Sequence, residues 1–490
     1  MANIGFELRF PSRDRSLSGA LADGLFGASV VAGPWILTVL AMGLLQATRQ
    51  DDGDAFALQS IIIYIFFITL LATAPVIALC GRLLADDLYR NDPSEIADAY
   101  VTCLFLSWLS TTVIAALLLF SRMSVEPVDI LIAVQACGLA SLMWPSFAFA
   151  SSVKRYGLIG ASFAIALVVS VGASLALREA GFGAPVQAVG FSFGLALGSS
   201  IIGGFLLRAF GGASVGAPRI GARLSQAWRD HRPLVLGAAF AVAAIWIDSV
   251  VMWLGPLGIA AANGLETAPT YDSAMFVARL AMVPGLAFNF LAIDPASYGA
   301  IRRYLQGIEE RDTLVAIQSR LSNVETLIDL QLRGLLVLQT GLTGLFVVLV
   351  PFAIPFVGLA HVQIATLQFG ILGALFHVIF FAATALVLNC GAERDFMRLQ
   401  VLFFVLNGGG AALSLLLPSA YLGVGYFLAA LVSGLASLYV LQSVLQRLTR
   451  LTFERGLTLA SGARRRGGTT AALLGRIHAL IRTFSKEGRS

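Results

Sequence analysis

Asp248 and Arg279 are charged side chains inside long apolar stretches of the chain, AIWIDSVVMW and SAMFVARLAMVP. A charge at the centre of a bilayer costs at least about 2.5–3.5 kcal/mol, so such residues are candidates for function. If their helices cross a membrane in opposite directions, the two depths differ by roughly 6 Å, which an arginine stem can bridge. The sequence predicts a pair here. It leaves open whether the pair only locks two helices or contacts a polar substrate in a hydrated cavity.

Five further polar residues at or near membrane depth are candidates for the same hydrated path. Each is as readily explained by a hydrogen bond between helices or, for the acidic one, by an interfacial position. The imidazole titrates near neutral pH when unperturbed, and a hydrogen-bonded neutral ring is the alternative. They are Asp23, Gln135, Asn289, His377 and Asn407.

The composition indicates whether the protein is surrounded by water or by lipid. Of the 490 residues 58% are hydrophobic and only 12% are charged, with a mean hydropathy of +0.83. A soluble domain carries roughly 25% charged residues. The chain therefore has too few charges to cover a water-facing surface, and we expect an all-α membrane protein.

Stretches of about 20 apolar residues, the length that crosses the hydrocarbon core, predict twelve transmembrane helices. The predicted spans lie near 20–46, 57–80, 99–120, 128–151, 156–177, 185–207, 234–257, 273–293, 333–359, 363–390, 399–420 and 424–445.

Basic residues set the orientation, because Lys and Arg accumulate in cytoplasmic segments. With the N-terminus in the cytoplasm, 29 of the 33 basic residues fall on the cytoplasmic side, three on the other side and one within a span. One missed helix would invert this pattern for every later segment. Both termini are therefore expected in the cytoplasm, and the net charge of +5 indicates a partnership with the anionic lipid surface rather than with nucleic acid.

The spans fall into two groups of six, separated by a basic segment. This arrangement predicts two six-helix lobes around a central cavity, a plan in which a substrate passes between the lobes. The expected boundaries are an N-terminal lobe at 1–207, a linker at 208–233, a C-terminal lobe at 234–455 with an amphipathic cytoplasmic loop at 294–332, and a basic amphipathic tail at 456–490.

Several residues inside spans are candidates for bends or hinges. Proline in a helix frees a backbone carbonyl, which suits either a helix that opens or a static packing feature. The candidates are Gly33, Pro34, Trp35, Pro145 and Pro284.

One apolar face in the loop at 294–332 is a candidate docking surface. Its members recur at spacings of three and four residues, as on one side of a helix. The face can rest on the membrane, on the protein itself or on a partner. It consists of Leu314, Ile317, Leu321, Val324 and Ile328.

Motifs of enzymes are missing from the sequence. It contains no nucleotide-binding glycine loop and no H-E-x-x-H metal motif, and the four cysteines have no metal-ligand spacing. The longest cytoplasmic loop has about 40 residues, at the edge of what folds alone. We predict a protein that is not an enzyme and that has no cofactor and no metal.

Short motifs along the chain resemble the PelG family, the inner-membrane transporters of the Pel exopolysaccharide system. The similarity extends from about residue 3 to 454. The motifs are GFELR at 5–9, GPW at 33–35, WID at 246–248, YDSAMF at 271–276, LGALFH at 372–377 and the segment 421–427.

The resemblance implies a polysaccharide-transporter branch of the multidrug/oligosaccharidyl-lipid/polysaccharide flippase superfamily. It also implies movement of an N-acetylgalactosamine-rich polymer out of the cytoplasm of a bacterium, beside a cytoplasmic glycosyltransferase and membrane-anchored Pel-system subunits. The sequence departs from the family at Ser249, where a lysine is expected, and at Arg279, where an uncharged residue is expected. A lipid-linked oligosaccharide flippase, a small-molecule exporter, a membrane glycosyltransferase and a scaffold without transport remain open.

Overall fold

The computed structural model describes residues 52–90, 95–153, 156–211, 218–310 and 312–449. The first predicted span at 20–46, with Asp23, Gly33, Pro34 and Trp35, lies outside the described residues, as does the tail at 456–490. Packing divides the chain into two units, Met1–Leu438 and Tyr439–Ser490. All contacts discussed below lie within the first unit.

Helices make up nearly all of the described chain. Those of the N-terminal half are α1 (Asp52–Arg90), α2 (Ile96–Arg122), α3 (Pro127–Ser141), α4 (Met143–Ser152), α5 (Tyr156–Glu179) and α6 (Ala184–Ala209), followed by the linker helix α7 (Pro218–Asp230). Those of the C-terminal half are α8 (Arg232–Leu254), α9 (Pro269–Leu280), α10 (Val283–Phe288), α11 (Asp294–Glu309), α12 (Leu314–Val357), α13 (Ile364–Asn389), α14 (Glu393–Ser414) and α15 (Val424–Gln446). A π-helical segment (Asn289–Ile293), two 3-10 segments (His361–Gln363 and Ser419–Tyr421) and an antiparallel pair of strands, β1 (Ile259–Ala260) and β2 (Glu266–Thr267), complete the described elements.

Eleven segments of the described chain are long and apolar enough to cross a membrane. They correspond one by one to the second to twelfth predicted spans, which confirms the all-α membrane fold. Many large apolar side chains on them are exposed, including Leu117, Val168 and Val337. In a bilayer these side chains face lipid, so their exposure carries no cost.

The segment at 294–332, predicted as the connection between the eighth and ninth spans, is almost entirely helical. The eighth span continues as helix to Ile308, and the ninth begins at Leu314 and runs for 42 residues. At 1.5 Å per residue that helix measures about 63 Å, roughly twice the hydrocarbon thickness. Helix α11 and the first turns of α12 therefore form a helical hairpin that extends beyond the membrane.

The same hairpin covers part of the predicted docking face. Ile317, Val324 and Ile328 are buried within the chain, Leu321 is half-buried, and Leu314 is exposed. Because α11 packs against α12, three of the five residues are covered by the protein itself. Of the three positions left open for this face, these residues take the second, against the protein itself. Pattern alone cannot distinguish a helix packed on its own neighbour from one awaiting a partner.

The linker helix α7 is tied to both halves of the chain. Arg223 donates to the carboxylates of Asp87, at the end of α1, and Glu95, before α2. His231, at the start of α8, contacts Glu393 of α14 through a 2.6 Å bond. The basic linker therefore makes specific contacts with acidic side chains of both halves.

Two helices break close to predicted hinge prolines. Helices α3 and α4 are separated at Leu142, three residues before Pro145, because a proline ring clashes with the carbonyl four residues earlier. The Leu142 carbonyl accepts hydrogen bonds of 2.9 Å from Ser146 and from Ser199 of α6. The break is thereby satisfied inside the protein, as it must be at membrane depth.

The second break lies in the eighth span. Helices α9 and α10 are separated at 281–282, just before Pro284. The amide of Gln339 on α12 donates to the Ala281 carbonyl over 2.7 Å. A π-helical segment begins at Asn289, five residues after the proline. This span combines two irregularities, which are frequent at functional sites.

Candidate functional site

Asp248 on α8 and Arg279 on α9 form a buried ion pair. One guanidinium nitrogen of Arg279 donates to both carboxylate oxygens, over 2.9 and 2.7 Å. The Tyr271 hydroxyl donates to one of these oxygens over 2.8 Å. Asp248 is fully buried and Arg279 is 9% exposed. The contact that the two charges predicted is present, and it offsets much of the cost of burying each of them.

Aromatic side chains and an imidazole extend this network. The Arg279 guanidinium lies over the Tyr426 ring, 5.6 Å from its centroid, within the range of a cation–π contact. The Tyr426 hydroxyl and His377 Nδ1 share a hydrogen bond of 2.8 Å. The His377 ring in turn packs against Phe403, with centroids 4.7 Å apart. Five residues with polar side chains (Asp248, Tyr271, Arg279, His377 and Tyr426) and the aromatic rings around them thus link α8, α9, α13, α14 and α15.

One donor in the network has no partner. Arg279 Nε is buried and makes no hydrogen bond. A buried unsatisfied donor costs about 1–3 kcal/mol and calls for an explanation, such as a strained state or an unplaced water or ion. The network therefore contains one buried hydrogen-bond donor that is unsatisfied in this conformation.

The network lies inside the C-terminal half. Trp246 and Trp253, seven residues apart on α8, contact Phe67 of α1 at centroid distances of 5.5 and 5.8 Å, so that face of α8 meets the N-terminal half. Asp248 follows Trp246 by two residues, about 200° around the helix. Its carboxylate accordingly points away from the N-terminal half.

The other candidates are dispersed. Asn407 of α14 donates to the Ala244 carbonyl of α8 over 2.8 Å, an interhelical bond. Asn289 is buried at the start of the π-helical segment, with its oxygen unpartnered. Gln135 is exposed on α3, on the same face as the exposed Leu131. In the part of the chain that the structure describes, no group of three His, Cys, Asp or Glu side chains could hold a metal.

The β1–β2 hairpin between α8 and α9 contacts the N-terminal half, which the sequence did not predict. Asn263 at its tip donates to the Ala57 carbonyl of α1 over 3.0 Å and lies 3.1 Å from Ser60 Oγ. Its own carbonyl accepts from the Ser124 amide, between α2 and α3, over 3.0 Å. The neighbouring Gly264 has φ +85°, and a Cβ there would lie 2.2 Å from Ser124 Oγ. Only glycine fits this position.

Two contacts fix the base of this hairpin. Trp253 Nε1 at the end of α8 donates to Asp272 of α9 over 2.7 Å, and the Asp248–Arg279 pair joins the same two helices deeper in the membrane. The Tyr64 hydroxyl of α1 donates to the Glu266 carbonyl of β2 over 2.9 Å. The hairpin is therefore held on both sides, by its own helices and by the opposite half.

Aromatic rings line the contact between the two halves. Tyr64 stacks on Trp253 with centroids 5.0 Å apart, and Trp253 lies 6.2 Å from Trp246. Trp246 meets Phe67 as described above. Next to Phe67, but within the N-terminal half, Phe66 lies 6.2 Å from Trp144 of α4. We call these rings the aromatic series: Tyr64, Phe66, Phe67, Trp144, Trp246 and Trp253.

Sequence reasoning missed several members of these sites. Tyr271, Tyr426 and Asn263 are brought to their partners by long-range packing between helices. Tyr271 and Tyr426 fall within segments that resembled a family, but nothing in their spacing marks them as partners of a charge.

The arrangement can be compared with known proteins. A family model described as "PelG: Putative exopolysaccharide Exporter (EPS-E)" matches residues 1–453 of the chain. The chain belongs to the PelG family. The resemblance found in the short motifs is confirmed, and the match covers every predicted span and the whole of the network described above. Membership makes this a multi-pass membrane protein of a family of exopolysaccharide exporters.

Solved structures similar to this PelG-family chain are transporters. An outward-facing multidrug resistance MATE family transporter of the MOP superfamily has a TM-score of 0.59 at 12% identity, covering 88% of this chain and 96% of that one. An inward-facing transporter of that description has a TM-score of 0.55 at 16% identity, covering 84% and 95%. A MOP superfamily transporter from Pyrococcus furiosus has a TM-score of 0.58 at 12% identity, covering 87% and 96%.

At these identities the likeness establishes the fold alone. It confirms the prediction of a transporter fold of about twelve helices. A search of curated proteins found no match to the chain.

Proposed function

We propose that this protein moves a Pel-like, N-acetylgalactosamine-rich exopolysaccharide across the bacterial inner membrane, from cytoplasm to periplasm. The observation that carries the proposal is the family match over residues 1–453, supported by a fold similar to that of known transporters. A cytoplasmic glycosyltransferase supplies the polymer, and membrane-anchored Pel-system subunits assist. The protein has no catalytic role of its own in this scheme.

The chain is organised in two lobes, at 1–207 and 234–455, joined by the linker at 208–233, with the tail at 456–490 and both termini in the cytoplasm. The distribution of basic residues supports this orientation. In this orientation the β1–β2 hairpin lies in the periplasm and the α11–α12 hairpin lies in the cytoplasm. The linker then ties the two lobes together on the cytoplasmic side through Arg223 and His231.

Movement of a polymer between the lobes requires their periplasmic contact to open. The hydrogen bonds of Asn263 with Ala57, Ser60 and Ser124, and that of Tyr64 with Glu266, are polar contacts that must break. They are few, and because Asn263 and Ser60 are buried in the closed state, water must reach these groups as the halves part. The hairpin therefore acts as a periplasmic gate that is closed in this structure.

Asp248 and Arg279 take part in the transport cycle by holding α8 and α9, the two helices that carry the gate. Three observations support this role: the pair joins those helices directly, Arg279 retains an unpartnered donor, and a buried ion pair is a weak means of stabilising a fold compared with apolar packing. Asn289, His377 and Asn407 are secondary candidates for the path, because they lie at membrane depth on the same half.

The proposal is tested in cells whose own exporter gene is deleted and replaced by this chain. Sugar polymer is quantified in the cytoplasm, in the periplasm and outside the cell. Restored polymer outside, with none retained inside, supports a polysaccharide exporter. Retention of lipid-linked oligosaccharide in the deletion strain instead identifies a flippase for that smaller substrate. Normal export without any exporter gene removes the assignment.

A further inference from the structure

The aromatic series consists of larger, flatter side chains than packing between the halves requires. Across the boundary between the halves, Trp253 stacks on Tyr64 with centroids 5.0 Å apart and Trp246 lies 5.5 Å from Phe67, whereas Phe66 and Trp144 meet edge-on within the N-terminal half. A contact between two halves that only had to close could be made of aliphatic side chains. Here it is made of the side chains with the largest flat apolar faces.

The series also runs along the membrane axis. Trp253 lies one residue from the hairpin end of α8, and Trp246 lies eight residues from that end, about 12 Å deeper. Trp144 follows the start of α3 by 17 residues, about 25 Å. Trp253, Trp246 and Phe67 thus lead from the periplasmic gate into the membrane along the boundary where the halves meet, whereas Phe66 and Trp144 contact each other within the N-terminal half.

Two of the indoles are held in fixed orientations by their N–H groups. Trp253 donates to Asp272 over 2.7 Å, and Trp144 donates to Thr69 over 3.0 Å. Tyr64 and Trp253 are buried, whereas Phe66, Phe67, Trp144 and Trp246 are each half-buried. Phe67 and Trp246, the half-buried rings that meet across the boundary, are therefore the ones whose faces become available when the halves part.

Sugar rings recognise such surfaces. The C–H groups on one face of a galactose-type pyranose form an apolar, slightly positive patch that stacks on the electron-rich face of an aromatic ring. Stacking requires no fixed hydrogen bonds, so a polymer can step from ring to ring. This property suits a track better than a tight site.

We propose that Phe67 and Trp246, one ring from each half, form a stacking track for the pyranose rings of the exported polymer. The inference rests on the proposed function, and it assigns substrate contact to the boundary between the halves rather than to the Asp248–Arg279 network. Trp246 is the central ring, because it contacts Phe67 across the boundary and Trp253 along its own helix.

The test compares ring-removing and ring-keeping variants in the complementation strain. Trp246→Leu and Phe67→Leu keep apolar packing but remove the aromatic face, whereas Trp246→Phe and Phe67→Tyr keep it. We expect export per exporter molecule in the membrane to fall about tenfold in each Leu variant, the scale set by losing one stacked ring, and to stay within about twofold in the ring-keeping variants. Phe352→Leu, at a ring that is 71% exposed on α12, is the control and should export normally.

Binding by the purified full chain in lipid nanodiscs provides a second readout. A short N-acetylgalactosamine oligomer should change the tryptophan fluorescence of the wild type and bind the Trp246→Leu protein about tenfold more weakly. Leu variants that export and bind like the wild type overturn the track and leave the exporter assignment intact. Failure of the wild type itself to restore export overturns the exporter assignment.

Discussion

Replacing Asp248 by Asn removes the negative charge from the network with almost no change of shape. The asparagine oxygen can still accept one hydrogen bond from Arg279 or Tyr271, but the guanidinium then has no counter-charge. Breaking a buried pair by removing one partner costs about 3–5 kcal/mol. Since typical stabilities are about 5–15 kcal/mol, the variant should still fold, with reduced abundance in the membrane.

The double variant Asp248→Asn/Arg279→Met separates stability from transport. It removes both charges, so the uncompensated guanidinium disappears and abundance should recover to within about twofold of the wild type, as neutral replacement of a buried pair is often tolerated. If the pair serves the transport cycle, export should remain low although the protein is present. The assay is export of polymer divided by the amount of exporter in the membrane, measured for the wild type, both single variants and the double variant.

One result of comparing these four proteins would refute the reasoning. Export that follows abundance in all four proteins, with full recovery in the double variant, would mean that the pair only fastens α8 to α9. We expect the single Asp248→Asn variant to lose more export than protein.

The remaining predictions concern the gate and the broken eighth span. A disulfide between cysteines introduced as Ser60→Cys and Asn263→Cys, whose native side chains touch, should stop export under oxidation and release it on reduction; export unaffected by cross-linking contradicts the gate. Gly264→Ala should lower the free energy of unfolding of the purified protein by about 1–2 kcal/mol or more, because its φ of +85° disfavours a side chain. Thermal melting measures this change, and an unchanged melting curve would show that the hairpin relaxes freely. Gln339→Leu should destabilise the protein by about 1–3 kcal/mol, because it leaves the Ala281 carbonyl at the helix break without a hydrogen bond. Gln368→Leu, which removes a longer bond of 3.2 Å, is the control and should have a smaller effect. Equal effects would show that the bond at the break contributes no more than the other bond.

Sequence patterns predicted the membrane part of the fold because the bilayer imposes a single requirement, about 20 apolar residues per span. All eleven spans in the described chain follow that rule. The same rule gives no information at 294–332, where polar residues end the apolar stretch and the helix continues; only the spacing of the apolar residues indicated a helix there. Helix formation depends on backbone hydrogen bonds and neighbours rather than on hydropathy, so a helix that leaves the membrane gives no signal in an apolar-length count.

The candidate site was predictable only where chemistry is local. Two charges in apolar stretches indicated the Asp248–Arg279 contact, because a buried charge requires a counter-charge. Tyr426 and Asn263 escaped notice, since their importance arises from helices that are far apart in sequence. Gln135 carried the same signal as Asn407, yet one is exposed and the other buried, because the position of a residue around its helix is fixed by packing.

The measurement that tests the central claim most directly uses inverted inner-membrane vesicles, whose cytoplasmic face is outside. Vesicles containing the polymer-synthesising enzymes are supplied with labelled sugar nucleotide, with and without this chain, and a glycosidase that cannot cross the membrane is then added. The account predicts that labelled polymer is protected inside vesicles that contain the chain and is digested in vesicles that lack it. Equal protection in the two preparations would contradict the claim that this protein carries polymer across the membrane.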